Sequence, residues 1–316
     1  MFNSVFNPWS FVAFPWNCMS VQPTAQSRFT YGFHEDEEGA LHYRLFIPRA
    51  GREQPVSLVV MLHACGQDAT DFAAGTGMNA LAEEHGYLVL YPEQPCSAHW
   101  NRCWNWYDRA HHRRGAGEPA LLAGLTRRIM AEHAVDRARV AVAGLSAGGA
   151  MAVILGRTYP ELFSAVGCHS GLAHGSASSR LSAMLAMRNG PDPSAPAPPS
   201  PHATVPVIVF HGDADATVHR THSCDVIRQS LDSHALHRRA ADAEIAVVAE
   251  TGCAGGRQFT RHVHRDAAGG VLAEQWTVHG AGHAWSGGDL RGSHADILGP
   301  NASEEMLRFF FGGPVA

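Results

Sequence analysis

The chain has 316 residues, 45% of them hydrophobic and 17% charged, a composition that supports a large core and argues against global disorder. Its formal net charge is −5 at pH 7, and basic residues gather only in short pairs such as Arg113-Arg114 and Arg238-Arg239, which argues against a nucleic-acid-binding face. No apolar run approaches the ~20 residues of a membrane span, and the seven cysteines, an odd number, do not fix a redox compartment.

In chain order, the first twenty residues, "MFNSVFNPWSFVAFPWNCMS", are apolar and aromatic but lack a basic leader and are broken by Pro8 and Pro15. They do not read as a signal peptide. Residues 1–27 are taken as a segment packed on the domain or trailing from it, and 28–316 as one domain. "RFTYGFHE" (28–35) and "LHYRLFIP" (41–48) alternate around Glu38-Gly39 and predict an antiparallel hairpin. The continuous apolar runs 56–64 and 87–93 predict strands buried on both faces. Helices are predicted over 71–86 and 118–135, a strand over 139–143, a helix from Ala147 to about Tyr159, and strands over 165–171, 205–213 and 272–280. "ASEEMLRFFFGG" reads as a terminal helix. Strands alternating with helices predict an α/β fold, a mostly parallel sheet with helices on both faces. "GPDPSAPAPPSPHA" (190–203) holds six prolines and reads as an extended loop, either part of a cap over the site or without fixed structure.

Between the strand 139–143 and the following helix lies Gly144-Leu145-Ser146-Ala147-Gly148. Gly-x-Ser-x-Gly in that context is a nucleophile elbow. A sharp turn lifts the Ser146 hydroxyl off the sheet edge, and the glycines sit where strand and helix backbones pass too close for side chains. The Ala147 N–H stands at a helix N-terminus, where partial positive charge suits an oxyanion.

A serine needs a base, and the base needs an orienting acid; in this architecture they follow in the order Ser, Asp or Glu, His. "HGDADATV" offers Asp213 and Asp215 beyond the strand at 205–210. Asp215 is preferred, because Asp213 falls where a turn residue would finish the strand. "VHGAGHAWSGG" offers His283 in a glycine-rich loop; His279 at the strand's end and His294 further along are the rivals. The second oxyanion donor is expected around Ala64-Cys65, in the loop "LHACGQDATDF". His111-His112 and His262-x-His264 lack a second cluster to complete a ligand set, so neither a metal nor another cofactor is expected.

The segments "LHACGQDATDFAAGTGMNALAEEHGYLVLYPEQ", "RCWNWYD", "RGAGEPALLAGL", "VDRARVAVAGLSAGGAMAVILGRTYPELFSAVGCHSGL", "HGDADATV" and "GAGHAWSGG" together resemble the polyhydroxybutyrate-depolymerase family of esterases, α/β-hydrolases grouped with feruloyl and acetyl-xylan esterases. The resemblance runs from about residue 28 to 311. It implies Ser146 as nucleophile, Asp215 as acid, His283 as base, and the Cys65 and Ala147 amides as oxyanion donors. It also points to a secreted or periplasmic protein. Ala64 departs from the glycine usual in the family's His-Gly-Cys motif. In this fold the loops carrying Cys65 and Cys103 emerge side by side, so a bridge between them is expected, with a local Cys96–Cys103 bridge and free thiols as alternatives. Trp104, Trp106 and Trp285 are expected to shape the substrate pocket. The expected partner is a small or oligomeric ester, hydrolysed better in solution than as crystalline polymer, since the sequence after His283 leaves no room for a polymer-binding module. A serine peptidase or thioesterase on the same scaffold, and a non-catalytic binding protein, are the competing readings.

Overall fold

The computed structural model describes residues 27–49, 55–191, 205–237 and 244–312. The expectations for the N-terminal segment up to residue 26, and for residues 192–203 of the proline-rich stretch, lie outside them.

The predicted hairpin is formed by β1 (Arg28–Asp36) and β2 (Gly39–Ile47), with Asp36 paired to Gly39 across the turn. The apolar runs become β3 (Val56–Leu62), buried along its whole length, and β4 (Leu88–Glu93). Later in the chain come β5 (Val135–Leu145), β6 (Ala165–His169), β7 (Val207–Gly212) and β10 (Val271–Val278). Between the last two lies an antiparallel hairpin of β8 (Ala246–Ala254) and β9 (Arg257–Arg265). All ten join one sheet in the order β1-β2-β4-β3-β5-β6-β7-β10-β9-β8. The six central strands, β4 to β10 in that order, are parallel, and an antiparallel pair extends each end.

Both faces are covered, as continuous apolar strands require. On one face lie α3 (Gly117–Glu132), α4 (Ala147–Thr158), α5 (Arg180–Asn189) and α6 (Thr221–His237), packed through residues such as Leu122, Ile154, Ala183 and Ile227. On the other lie α1 (Ala69–Thr76), α2 (Met78–His85) and the terminal α7 (Ala302–Phe311), through Phe72, Met78 and Met306. One predicted helix, 71–86, is in fact two. Gly77 lies between them at φ 63°, capping α1 in the left-handed region that glycine enters without steric cost. Two short strands, β11 (Trp285–Ser286) and β12 (Ala295–Asp296), brace the loop beyond β10. No helix among the described residues is long and apolar enough to cross a membrane.

Candidate active site

Parallel pairing brings the C-terminal ends of β3, β5, β6, β7 and β10 to one sheet edge, the place where open α/β sheets bind ligands. Each of these strands is followed within a few residues by a polar side chain: His63, Ser146, Ser170, Asp213 with Asp215, and His279 with His283.

The elbow has the form its glycines imply. Ser146 adopts φ 58° and ψ −118°, a backbone conformation costly for any side chain-bearing residue. It is held there from both sides. Its N–H donates to the His169 carbonyl at 2.9 Å, and its carbonyl accepts from Ala150 N at 2.9 Å. A Cβ on Gly148 would sit 2.0 Å from the Leu62 carbonyl oxygen, and one on Gly144 2.5 Å from the Gly148 carbonyl carbon, so neither position tolerates a side chain. The Ser146 hydroxyl does not cap α4, and no acidic residue occupies that helix's first turn to cancel its N-terminal field. Ser146 is 7% exposed, a recessed rather than a surface hydroxyl.

The two aspartate–histidine pairings sort themselves. Asp215 Oδ2 accepts from His283 Nδ1 at 2.7 Å, while Oδ1 accepts the Thr217 and Val218 N–H groups at 2.8 and 2.9 Å. His211 Nε2 lies 3.4 Å from the same Oδ2. Burial opposes the charge on Asp215, but the hydrogen bonds from His211 and His283, the His283 charge and the Val218 N–H outweigh it and hold the carboxyl well below the usual carboxylate range. The rivals pair with each other instead. His279 Nδ1 meets Asp213 Oδ2 at 2.8 Å, and its Nε2 meets the Thr260 hydroxyl at 2.9 Å. His294 contributes its backbone carbonyl to Trp285 N at 2.7 Å, which braces the loop.

In the loop after β3 the N–H groups of Ala64, Gly66 and Gln67 are engaged by Gln67 Oε1, the Asn101 carbonyl and the Ala64 carbonyl. Cys65 N–H has no hydrogen-bond partner among the described residues. Cys65 is bonded to Cys103, the expected bridge, which fastens this loop to the one after β4. Gln67 Nε2 also donates to the Ser293 carbonyl at 2.9 Å, tying the same loop to the segment that follows His283. Sequence reasoning did not find Glu118, which organises the loop after β4. Its buried carboxylate accepts from Gln94 Nε2 at 2.5 Å and from Asn105 Nδ2 and N at 2.6 and 2.8 Å. Burial raises its pKa even so.

The three tryptophans expected to shape the pocket are all buried, Trp104 and Trp285 at 0% and 1% exposure and Trp106 at 5%, close to the 7% of Ser146 itself. Trp104 Nε1 donates to the His63 carbonyl at 3.1 Å and Trp285 Nε1 to Ser303 Oγ at 3.1 Å. Large rings on loops that seal against the core bury their area there. Among the described residues the solvent-exposed indole is Trp100, 78% exposed, next to the Asn101 carbonyl that holds Gly66.

Three buried histidines of this region are kept neutral, chiefly by burial: His63 falls to about 4, His169 and His174 to about 3. Unfolded histidine titrates near ~6.5, so the unfolded chain takes up protons that the folded state refuses. Their contribution to stability is complete above about pH 6.5 and is lost as pH falls toward the folded values, with a slope of about 1.4 kcal/mol per pH unit for each ring. The melting temperature by calorimetry should therefore drop steeply from about pH 6.5 to about pH 4.5. A flat profile across that window would mean these rings are not held neutral by the fold.

The sheet order, the elbow and the residues at its edge define an α/β-hydrolase fold. The chain belongs to the Esterase PHB depolymerase family, whose model matches residues 41–246. It is 30% identical to poly(3-hydroxyalkanoate) depolymerase C of Paucimonas lemoignei, over 74% of this chain and 56% of that protein. It is 34% identical to feruloyl esterase B of Neurospora crassa, over 37% of this chain and 40% of that one. The chain thus matches about half or less of the length of these curated relatives. Among solved structures, the acetyl xylan esterase from Aspergillus awamori superimposes with a TM-score of 0.64 at 16% identity, covering 89% of this chain and 98% of that one. A puromycin-hydrolyzing peptidase of Mycobacterium tuberculosis gives 0.54 at 15% identity, covering 92% and 39%. At such identities these neighbours speak to the fold alone.

Proposed function

We propose that this chain, with residues 28–316 acting as one catalytic domain, is a serine esterase working through an acyl-enzyme. The observation that carries the reading is the buried Asp215–His283 pair at 2.7 Å, on the same sheet edge as an elbow serine whose hydroxyl caps nothing. Ser146 Oγ attacks the ester carbonyl as His283 Nε2 takes its proton. The tetrahedral oxyanion is met by the Cys65 and Ala147 N–H groups. The C–O bond to the alcohol breaks and His283 returns the proton to the leaving oxygen. Water, deprotonated by the same ring, then attacks the acyl-serine and releases the acid. Asp215, kept ionised by its hydrogen bonds, fixes the ring with Nδ1–H toward itself and stabilises the imidazolium. No cofactor enters this cycle.

The relatives act on hydroxyalkanoate polyesters and feruloyl esters by name. The substrate proposed here is of that kind: short hydroxyacyl, hydroxybutyrate-oligomer or aryl esters. Ser146 is recessed and the His283 side chain is 12% exposed, so a chain must leave a crystal surface to reach them. Initial rates on p-nitrophenyl acyl esters, methyl ferulate, soluble hydroxybutyrate oligomers and a crystalline polyester film, at equal enzyme concentration, test this. Soluble esters should be turned over and the film eroded far more slowly. Hydrolysis of a matched p-nitroanilide amide as fast as the ester would favour a peptidase instead.

A further inference from the structure

His169, the last residue of β6, is placed to act on both halves of the proposed machinery. Its backbone carbonyl accepts the Ser146 N–H at 2.9 Å, the hydrogen bond that fixes the elbow from the sheet side. Its ring Nε2 lies 3.0 Å from the backbone nitrogen of Ser286, three residues past His283. An amide nitrogen only donates, so Nε2 must be the unprotonated, accepting nitrogen. The proton of the neutral ring then sits on Nδ1, which donates to the Ser170 hydroxyl at 3.2 Å. The ring is stacked between Phe210 on β7, at 5.8 Å and 15°, and Trp285 on the base's own loop, at 5.1 Å and 25°.

We infer that His169 is a positioning residue: in its neutral Nδ1–H form it pins Ser286 and Trp285, and so the His283 loop, to the strand that holds the nucleophile. The inference rests on the Ser146–His283–Asp215 reading. It explains why a histidine is buried here at all. A phenyl ring would stack equally well but would leave the Ser286 N–H without a partner. A charged imidazole would lose the acceptor and set a second cation beside the imidazolium that forms on His283. The surroundings oppose that charge: burial first, then the charges of His211 and His283, with only Asp215 acting the other way.

Two variants separate the ring's stacking from its acceptor. His169→Phe keeps the stack and removes the acceptor; His169→Gln places a carbonyl oxygen near the position of Nε2. For His169→Phe, kcat on a p-nitrophenyl ester should fall about 10²-fold, the scale of a misplacement of about 1 Å, with KM changed less than about threefold. His169→Gln should recover at least about tenfold of that loss. A wild-type kcat in folded His169→Phe would overturn the inference, as would a His169→Gln no better than the phenylalanine variant. Two-bond 1H–15N spectra of the wild-type protein give an answer that does not depend on any variant folding. The His169 ring should show the Nδ1–H tautomer unchanged between about pH 5 and 8; an Nε2–H tautomer, or titration in that range, would overturn the inference. Ser146→Ala is measured alongside. Activity surviving in it counts against the triad reading, whereas a dead Ser146→Ala beside a fully active His169→Phe counts against His169 alone.

Discussion

Ser146→Ala should abolish ester hydrolysis, lowering kcat/KM by about 10⁴–10⁶-fold, the usual loss when the nucleophile of such a unit is removed. The size of the effect follows from how the residue is held. The backbone at φ 58° is strained, and the hydroxyl neither caps α4 nor lies on the surface. Alanine adopts that backbone at the same steric cost as serine, and the two hydrogen bonds through Ser146 N and O are main-chain bonds that survive the change. The melting temperature should therefore stay close to wild type while activity disappears. A fluorophosphonate probe should label wild-type protein on the peptide carrying Ser146 and leave the variant unlabelled. Substantial turnover by the folded variant would mean that the nucleophile lies elsewhere.

How readily such features can be read from sequence depends on the range of the interactions that create them. The elbow is local: a buried strand, two glycines and a helix start are contiguous, so Ser146 stands out in the sequence. Asp215 and His283 follow from topology, since each must come after the end of a later strand. The sequence prefers Asp215 to Asp213; in the fold Asp215 meets His283, while Asp213 engages His279 and the Gly280 N–H. The Cys65–Cys103 bond was accessible for the same reason: neighbouring strands deliver neighbouring loops. What stayed hidden was set by tertiary contacts. Whether Trp104 and Trp285 face a substrate or the core is decided by rings and carbonyls far away in the chain. The tautomer of His169 depends on an amide 117 residues on. Strand β8 has nearly every residue exposed, so it carries no alternation to read, and α6 mixes serine and histidine with few apolar positions.

Asp215→Asn should lower kcat by about 10²–10⁴-fold, and Asp213→Asn by less than about tenfold. The two residues are two apart in sequence and each faces a histidine at bonding distance, so distance alone does not rank them. Three physical differences do. The Asp215 side chain is fully enclosed, whereas that of Asp213 is a quarter exposed, so water screens the second pair and not the first. Asp215 is anchored by two backbone N–H groups on one oxygen and leaves the other for His283, which fixes the ring plane; an asparagine there presents an amide N–H or a weaker acceptor to Nδ1 and favours the wrong tautomer. And His279 already uses Nε2 on Thr260, so the ring that Asp213 orients has no free nitrogen with which to receive a proton from a serine. Both carboxyls are held below the usual carboxylate range, against burial, by their histidine and amide partners. Their pairings are therefore intact above about pH 4 and are lost only below it, so loss of activity setting in at higher pH cannot come from protonating Asp215. Steady-state kinetics of the two asparagine variants on one soluble ester, with melting temperatures to confirm folding, make the comparison. A larger loss from Asp213→Asn than from Asp215→Asn would transfer the acid's role to Asp213 and the base's role to His279.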